Sequence, residues 1–189
     1  MASPLRFLRF SLLVLLLFAS CLFPPALFAG AGPGENILDV PFYPQEEFQC
    51  GPAALASVMN YWGDSLLPGE IAEDVFSKNA RGTLNLDLVL YARARSFEAT
   101  HGEMTPEGIR GSIDRGAPVI ALVDSGFWLV KKGHYVVVVG YSNSDSGGVL
   151  VVHDGLKKNR RIALKDFLRQ WGRSGHWGLI LIKKGNDIE

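Results

Sequence analysis

The residue with the most evident chemistry is Cys50, in the stretch EEFQCGPAAL at 46–55; no other cysteine follows Cys21. A lone thiol in an exported domain is either a reactive group or an inert apolar packing residue. Pro52 suits the first position of a helix, and the residues from there to Trp62 contain strong helix formers. The positive end of a helix lowers a thiol pKa, so the position of Cys50 predicts an ionisable nucleophile.

A thiol nucleophile also needs a base, and histidine is the usual one. His134 is the best candidate, because it follows Gly133 and opens the Val-rich predicted strand HYVVVVGY. A side chain at that position can face a cleft while the rest of the strand is buried. His101 is predicted in a polar loop, and His176 is predicted to pack near the last strand.

An imidazole base works best when a third group fixes its tautomer. Residues 134–141 and 149–154 are predicted to form a hairpin, in which the start of the first strand faces the end of the second. His153 and Asp154 both come near His134, and strand alternation places only one of them on its face. We favour Asp154, since a carboxylate is the better acceptor for an imidazole N–H.

The attacked carbonyl needs hydrogen-bond donors for its developing negative charge. The main-chain N–H of Cys50 is one candidate. A side-chain amide from Gln45 or Gln49 could be another. Gln49 is adjacent to the nucleophile and too close to fold back easily, so Gln45, in an extended segment, is the predicted donor.

The surrounding elements predict an α+β fold. Apolar and capping patterns predict helices at 52–62, 68–78, 85–97, 105–115 and 163–171, and strands at 117–124, 134–141, 149–154 and 177–184. Thr105 is the expected N-cap of the fourth helix in the chain. The first helices therefore precede a predicted antiparallel sheet.

The N-terminus has the pattern of a secretory signal peptide. Arg6 and Arg9 precede an uncharged apolar run at 10–29, and small residues follow it. We predict a signal peptide over 1–31, a linker over 32–37 and one domain over 38–185. The protein would then be exported, either periplasmic or anchored to a membrane.

Two other fates of the leader stay open. The apolar run is about long enough to span a bilayer as an uncleaved anchor. FASC at 18–21 resembles the bacterial lipoprotein processing box, in which the leader would end before a lipidated Cys21.

Charge and composition exclude other classes of function. Removing Arg6 and Arg9 from the 19 basic residues leaves 17 against 19 acidic ones, a net charge of −2. This balance predicts no nucleic-acid partner, and the basic cluster KKNRR at 157–161 is predicted to be a solvated turn. One thiol, with no closely spaced histidine pair, predicts no metal site, and no cofactor motif is present. The sequence leaves the oligomeric state open.

Three blocks then resemble a known family: VPFYPQEEFQCGPAALASVMNYWG at 40–63, GHYVVVVGY at 133–141 and VVHDG at 151–155. They are similar to the papain-like bacteriocin-processing (double-glycine leader) peptidase superfamily, and within it to the stand-alone, exported bacterial branch. The resemblance implies a papain-like cysteine peptidase fold, with the nucleophile at a helix N-terminus packed on a C-terminal antiparallel sheet.

The same resemblance implies roles for single residues. Cys50 would be the nucleophile, His134 the base, Asp154 the residue that orients the base, and Gln45 the oxyanion-hole amide. The chain differs from the family pattern at Gly155, where Pro is usual. It also lacks a transporter domain, so cleavage after Gly-Gly is not carried over.

The sequence therefore predicts an exported cysteine peptidase that hydrolyses a peptide bond through a thioester on Cys50. Its partner is a peptide or protein substrate, with membrane association through the leader or a lipid as an open alternative. A transamidase or acyltransferase would pass the acyl group to an amine instead of water. A non-catalytic module would only bind peptides in the cleft.

Overall fold

The computed structural model describes residues 34–126, 132–143 and 148–186. The elements in chain order are β1 Glu35–Ile37, α1 Cys50–Tyr61, α2 Pro68–Val75, α3 Asn85–Ala94, β2 Phe97–Glu103, α4 Pro106–Asp114, β3 Val119–Asp124, β4 Gly133–Ser142, β5 Val149–His153, β6 Arg160–Ala163, α5 Leu164–Gly172 and β7 Trp177–Lys183. The predicted leader, including Cys21, lies outside the described residues.

The seven strands form one antiparallel sheet in the order β2-β7-β3-β4-β5-β6, and β1 pairs with the last residues of β4. β4 is therefore central: it pairs with β3 along its first half and with β5 along its second half. The register between β4 and β5 shifts at Val138/Gly140, where an irregularity interrupts the ladder. This shift decides which residues of β5 lie beside the start of β4.

Helices cover both faces of the sheet. The helices α1, α2 and α3 share one apolar core with the face of β4 that carries Tyr135, Val137 and Val139. The opposite face, with Val136 and Val138, packs on α4 and α5. Because β4 is buried on both faces, its sequence is a continuous apolar run instead of an alternating one.

The helix α1 lies deepest in the fold. Every residue from Gly51 to Met59 is buried, including the small residues Ala53, Ala54 and Ala56. Small side chains let this helix approach the sheet closely, and its first residue is Cys50. Within the described ranges, no helix has both the length and the apolar character that crossing a membrane requires.

The predicted α+β class is confirmed, as is the N-cap at Thr105, whose Oγ1 accepts a hydrogen bond from the N–H of Gly108 at 3.0 Å. Three assignments are wrong. The predicted helix 85–97 ends at Ala94, and His101 lies in β2 instead of a loop. The predicted turn at 157–161 leads into β6, which begins at Arg160.

Both missed elements are outer strands of the sheet with polar side chains. An edge strand with one solvated face carries charged residues, which hide the strand pattern from sequence analysis. The strand β2 buries only Phe97 and Ala99, and β6 exposes Arg160 and Arg161. Residues 35–37, assigned to the linker from sequence, form the short strand β1.

Candidate active site

Cys50 is the first residue of α1, as the Gly-Pro pair after it predicts. Gly51 is helical, and a Cβ there would lie 2.9 Å from both Cβ and Oγ1 of Thr83. Glycine is needed because the loop that carries Thr83 packs against the start of α1, and the nucleophile position is fixed by that contact.

The half-buried thiol of Cys50 is free of any disulfide. Burial raises the pKa of Cys50, while the main-chain N–H groups of Tyr135, Gly51 and Cys50 itself and the charge of Lys132 lower it; the net shift is upward. The expectation of a lowered pKa is therefore wrong for the free protein, because desolvation outweighs the helix N-terminus. In the resting site Cys50 is a thiol, and a base must remove its proton.

His134 is the second residue of β4, next to Tyr135, whose N–H acts on Sγ of Cys50. Its Nε2 lies 2.8 Å from the main-chain oxygen of Asp154. A carbonyl can only accept, so Nε2 carries the proton and a neutral ring has its free base at Nδ1. Burial lowers the pKa of His134, helped by Lys132 and Arg160 and opposed by Asp154. The imidazole is therefore neutral at neutral pH.

The predicted contact between His134 and Asp154 is present, but the carboxylate does not make it. Asp154 Oδ1 accepts from the N–H groups of Leu156 at 2.9 Å and Lys157 at 2.7 Å, and Oδ2 lies 2.8 Å from Nη1 of Arg160. Burial alone would raise the pKa of Asp154, but Arg160 and these two N–H groups hold it below its usual range. The carboxylate shapes the turn that presents its own carbonyl to His134.

His153, the alternative partner of His134, is directed elsewhere. Its Nε2 lies 3.0 Å from the main-chain oxygen of Val40, and its Nδ1 accepts from the N–H of Asn159 at 3.2 Å. Burial lowers the pKa of His153, so its ring is neutral, with the proton on Nε2. The residue ties the N-terminal segment before Cys50 to the end of β5.

Gln45 lies against the turn after β5. Its N–H donates to the carbonyl of Gly155 at 2.9 Å, and its side chain crosses over the Cα of that glycine. A Cβ on Gly155 would collide with Oε1 of Gln45 and lie 2.8 Å from its Cδ. Gly155 also has a φ of +78°, which proline cannot adopt. The departure from the family pattern therefore makes room for Gln45.

Gln45 and His134 line the same open cleft. Among the described residues, Oε1 of Gln45 is buried without a hydrogen-bond partner. Cys50 does not line this cleft; it lines a second, much smaller pocket together with Tyr135 and Gly155. The four residues singled out from sequence are thus distributed over α1, the start of β4 and the turn after β5, with the segment before α1 crossing that turn.

Residues at the two ends of the connection from β3 to β4 hold the start of β4 in place. Oδ1 of the buried Asp124 accepts from the N–H groups of Gly126 and Lys132, each at 2.9 Å. Arg173, which follows α5, contacts the same residues. Its Nη2 lies 3.0 Å from Oδ2 of Asp124, and its Nη1 lies 3.0 Å from the main-chain oxygen of Gly126. Sequence analysis missed this group. The available signal was the position of Asp124, a carboxylate at the end of a predicted strand and directly before a Ser-Gly pair.

The remaining histidines lie away from these residues. His176 packs edge-on against Trp171, with ring centroids 5.0 Å apart, which confirms its predicted packing role. His101 is exposed and lies opposite Leu179 in the register of β2 and β7. In the described part of the chain, no three His, Cys, Asp or Glu residues form a group that could hold a metal ion.

Solved structures with the same fold are peptidase domains. The peptidase domain of Streptococcus ComA, a bifunctional ABC transporter involved in quorum sensing, is 25% identical with a TM-score of 0.61, over 75% of this chain and 97% of that domain. A candidate C39-like peptidase from Bacillus anthracis is 17% identical with a TM-score of 0.63, over 80% of this chain and 99% of that one.

A third structure, a double-glycine-motif protease from an AMS/PCAT transporter in complex with its leader peptide, is 20% identical. Its TM-score is 0.59, over 77% of this chain and 93% of that one. The architecture is accordingly that of a papain-like cysteine peptidase domain, as the sequence resemblance implied.

The sequence profile of the Peptidase_C39 like family matches residues 37–178. The chain belongs to this family, and the solved structures that it resembles are peptidase domains. Among curated proteins, none matches this chain.

Proposed function

We propose that this protein is an exported cysteine peptidase, with Cys50 as nucleophile and His134 as its base. One observation carries the proposal: Nε2 of His134 donates to the carbonyl of Asp154, so the neutral ring has Nδ1 free to accept a proton, as a thiol–imidazole pair requires. Tyr135, the residue after His134, lines one small pocket together with Cys50.

In acylation, Sγ of Cys50 attacks the substrate carbonyl carbon and its proton passes to Nδ1 of His134. The resulting oxyanion takes hydrogen bonds from the Cys50 N–H and the Gln45 side-chain amide. The imidazolium then gives its proton to the leaving nitrogen, the C–N bond breaks, and the amine product departs. The acyl group remains on Cys50 as a thioester.

In deacylation, His134 takes a proton from water as the water oxygen attacks the thioester carbonyl. The C–S bond breaks, the acid product leaves, and Sγ recovers the proton. Acylation starts from a neutral imidazole and a thiol, which are the states that burial favours for these two groups. Deacylation starts from a neutral imidazole and the thioester.

The substrate is a peptide or protein. Support comes from the structural neighbour that is held in complex with a leader peptide and from the cleft beside His134. Export is proposed from the signal-peptide pattern over 1–31. Cleavage after Gly-Gly is not part of the proposal.

The test is peptide hydrolysis by the purified protein, read by mass spectrometry of the products. Cys50→Ala and His134→Gln are each expected to lower the rate by about 10³-fold or more. His101→Gln is the matched control and should leave the rate unchanged, since His101 is exposed on β2. A covalent acyl adduct on Cys50 should be detected by mass spectrometry when the reaction is quenched during turnover.

Activity that survives in Cys50→Ala would contradict the proposal. Adding an excess of a primary amine separates hydrolysis from acyl transfer: the carboxylic acid remains the main product of a peptidase, whereas an amide replaces it in a transferase. Binding of peptide without turnover by the unaltered protein would indicate the non-catalytic alternative.

A further inference from the structure

A cleft of about 540 Å³ opens beside His134 on the sheet face that carries α5. Its apolar floor is formed by Val123 and Val136 from the sheet and Phe167 from the helix. These three side chains are almost fully buried within the protein. Leu156, which also lines the cleft and is 74% exposed, offers contact for an apolar side chain of a bound ligand.

Basic side chains surround this floor. Of the described residues that line the cleft, four are cations and two are carboxylates: Lys132, Arg160, Arg161 and Arg169 against Asp154 and Asp166. The chain as a whole has equal numbers of basic and acidic residues. The positive excess is therefore a local property of this cleft.

The cations differ in how firmly they are held. Arg169 pairs with Asp166 at 3.1 Å, and Arg161 pairs with Glu35, but the four side chains of these two pairs remain 26–70% exposed. Exposed ion pairs contribute little free energy because water screens them, so both guanidinium groups can exchange partners at little cost.

Two more cations lie close to the reacting groups. Lys132 lowers the pKa of both Cys50 and His134, and Arg160 lowers that of His134, which indicates that both charges are near the site. Nζ of Lys132 forms no ion pair with any carboxylate in the described part of the chain. Nη1 of Arg160 bonds to Asp154, and the Arg160 side chain, which lines the cleft, remains 55% exposed.

We propose that this cleft binds an acidic and apolar segment of the peptide substrate, in which Asp or Glu residues flank an aliphatic side chain. The proposal rests on the proposed function and names its substrate class. Carboxylates of the peptide contact the guanidinium groups of Arg161 and Arg169, which suit them geometrically. The aliphatic side chain contacts Leu156, above the apolar floor of the cleft. Opposite charge also speeds the encounter between the two molecules.

The test measures binding separately from turnover. Fluorescein-labelled decapeptide pools, matched in leucine content and carrying Glu, Gln or Lys at the same positions, are titrated with Cys50→Ala protein and followed by anisotropy. The Glu pool should bind about tenfold more tightly than the Gln pool, and the Lys pool most weakly, with the difference reduced at high salt.

Charge-reversal variants locate the effect. Arg169→Glu, in the same background, should remove most of the preference for Glu over Gln. Lys165→Glu makes the same charge change on the same helix at an exposed position that does not line the cleft, and should keep the preference. Equal thermal midpoints of the two variants verify that both are folded.

The outcomes distinguish the two proposals. Equal affinity for the three pools, or equal effects of Arg169→Glu and Lys165→Glu, overturns the acidic-substrate proposal and leaves the peptidase proposal standing. A preference for the Glu pool that depends on Arg169, in a protein that hydrolyses none of the pools, supports the cleft as a binding site and counts against the peptidase activity.

Discussion

Burial controls the protonation states of the two proposed catalytic side chains. Removing them from water disfavours the charged form of each, so the pKa of Cys50 rises and the pKa of His134 falls. The pair therefore rests as thiol and neutral imidazole, and not as an ion pair. Proton transfer therefore accompanies attack on the substrate, and the rate of this step depends on the orientation of His134.

This assignment predicts the pH dependence of kcat/KM. The active form needs His134 neutral, so activity falls as the pH drops through a pKa below the ordinary histidine value of about 6.5. It also needs Cys50 protonated, so the alkaline limb lies above the ordinary thiol value of about 8.5. Iodoacetamide labelling of the free protein should rise only along that alkaline limb. Full labelling at mildly acidic pH would contradict this account.

A second prediction separates the carbonyl of Asp154 from its carboxylate. Asp154→Asn keeps the carbonyl and an Oδ1 that can accept from Leu156 and Lys157, so kcat should fall only a few-fold. Asp154→Ala leaves those two N–H groups without their acceptor, at a cost of about 1–3 kcal/mol in the free energy of unfolding. We expect kcat to fall about tenfold or more, because the turn no longer holds the carbonyl against His134.

The pH profile of Asp154→Asn provides an independent readout. The negative charge of Asp154 raises the pKa of His134, so its removal should move the acid limb of kcat/KM to lower pH. If Asp154→Asn is as inactive as Asp154→Ala while both remain folded, the carboxylate itself acts on the imidazole, and the assigned role of the carbonyl is wrong.

At the level of the elements, the turn between β5 and β6 connects His134, the proposed base, to Gln45, the proposed oxyanion donor. Asp154 meets His134 on one side of this turn, and Gly155 supports the side chain of Gln45 on the other. The segment that carries Gln45 leads into α1, which begins at Cys50. One short turn thus sets the relative positions of groups that come from three distant parts of the chain.

Gly155→Ala should therefore lower catalysis as well as stability. Its positive φ predicts a loss of about 1 kcal/mol or more in the free energy of unfolding, and the new Cβ would also displace Gln45. Loss of one oxyanion donor is expected to lower kcat by about 10²-fold. The measurements are denaturant unfolding and kcat.

Gly175→Ala is the matched control for this change. Gly175 has a similar φ of +70°, but a Cβ there would meet nothing within 4 Å. This variant should lose comparable stability and keep its kcat. If Gly155→Ala and Gly175→Ala have the same kcat, the contact between Gly155 and Gln45 has no role in catalysis.

In the whole molecule, the sheet is covered on both faces, and β4 is its centre. The apolar run of β4 predicts this strand and its burial without knowledge of its neighbours. The outer strands β2 and β6 escaped prediction because their polar faces contain no clear alternation. The strand β2 forms by pairing with β7, which is distant in the sequence, and β6 forms by pairing with β5, the strand before it in the chain. Neither pairing leaves a pattern in the sequence of the outer strand itself.

The sequence by itself determined the family, the α+β class, and the positions of Cys50 before a helix and His134 at the start of a strand. Those features depend on local patterns: a Gly-Pro pair, a run of valines and the breakers around them. Only the tertiary structure decided which atom of Asp154 meets His134, why residue 155 is glycine, and that Cys50 is held as a thiol. These depend on the shifted register of β4 and β5 and on desolvation, and both arise only when distant segments pack together.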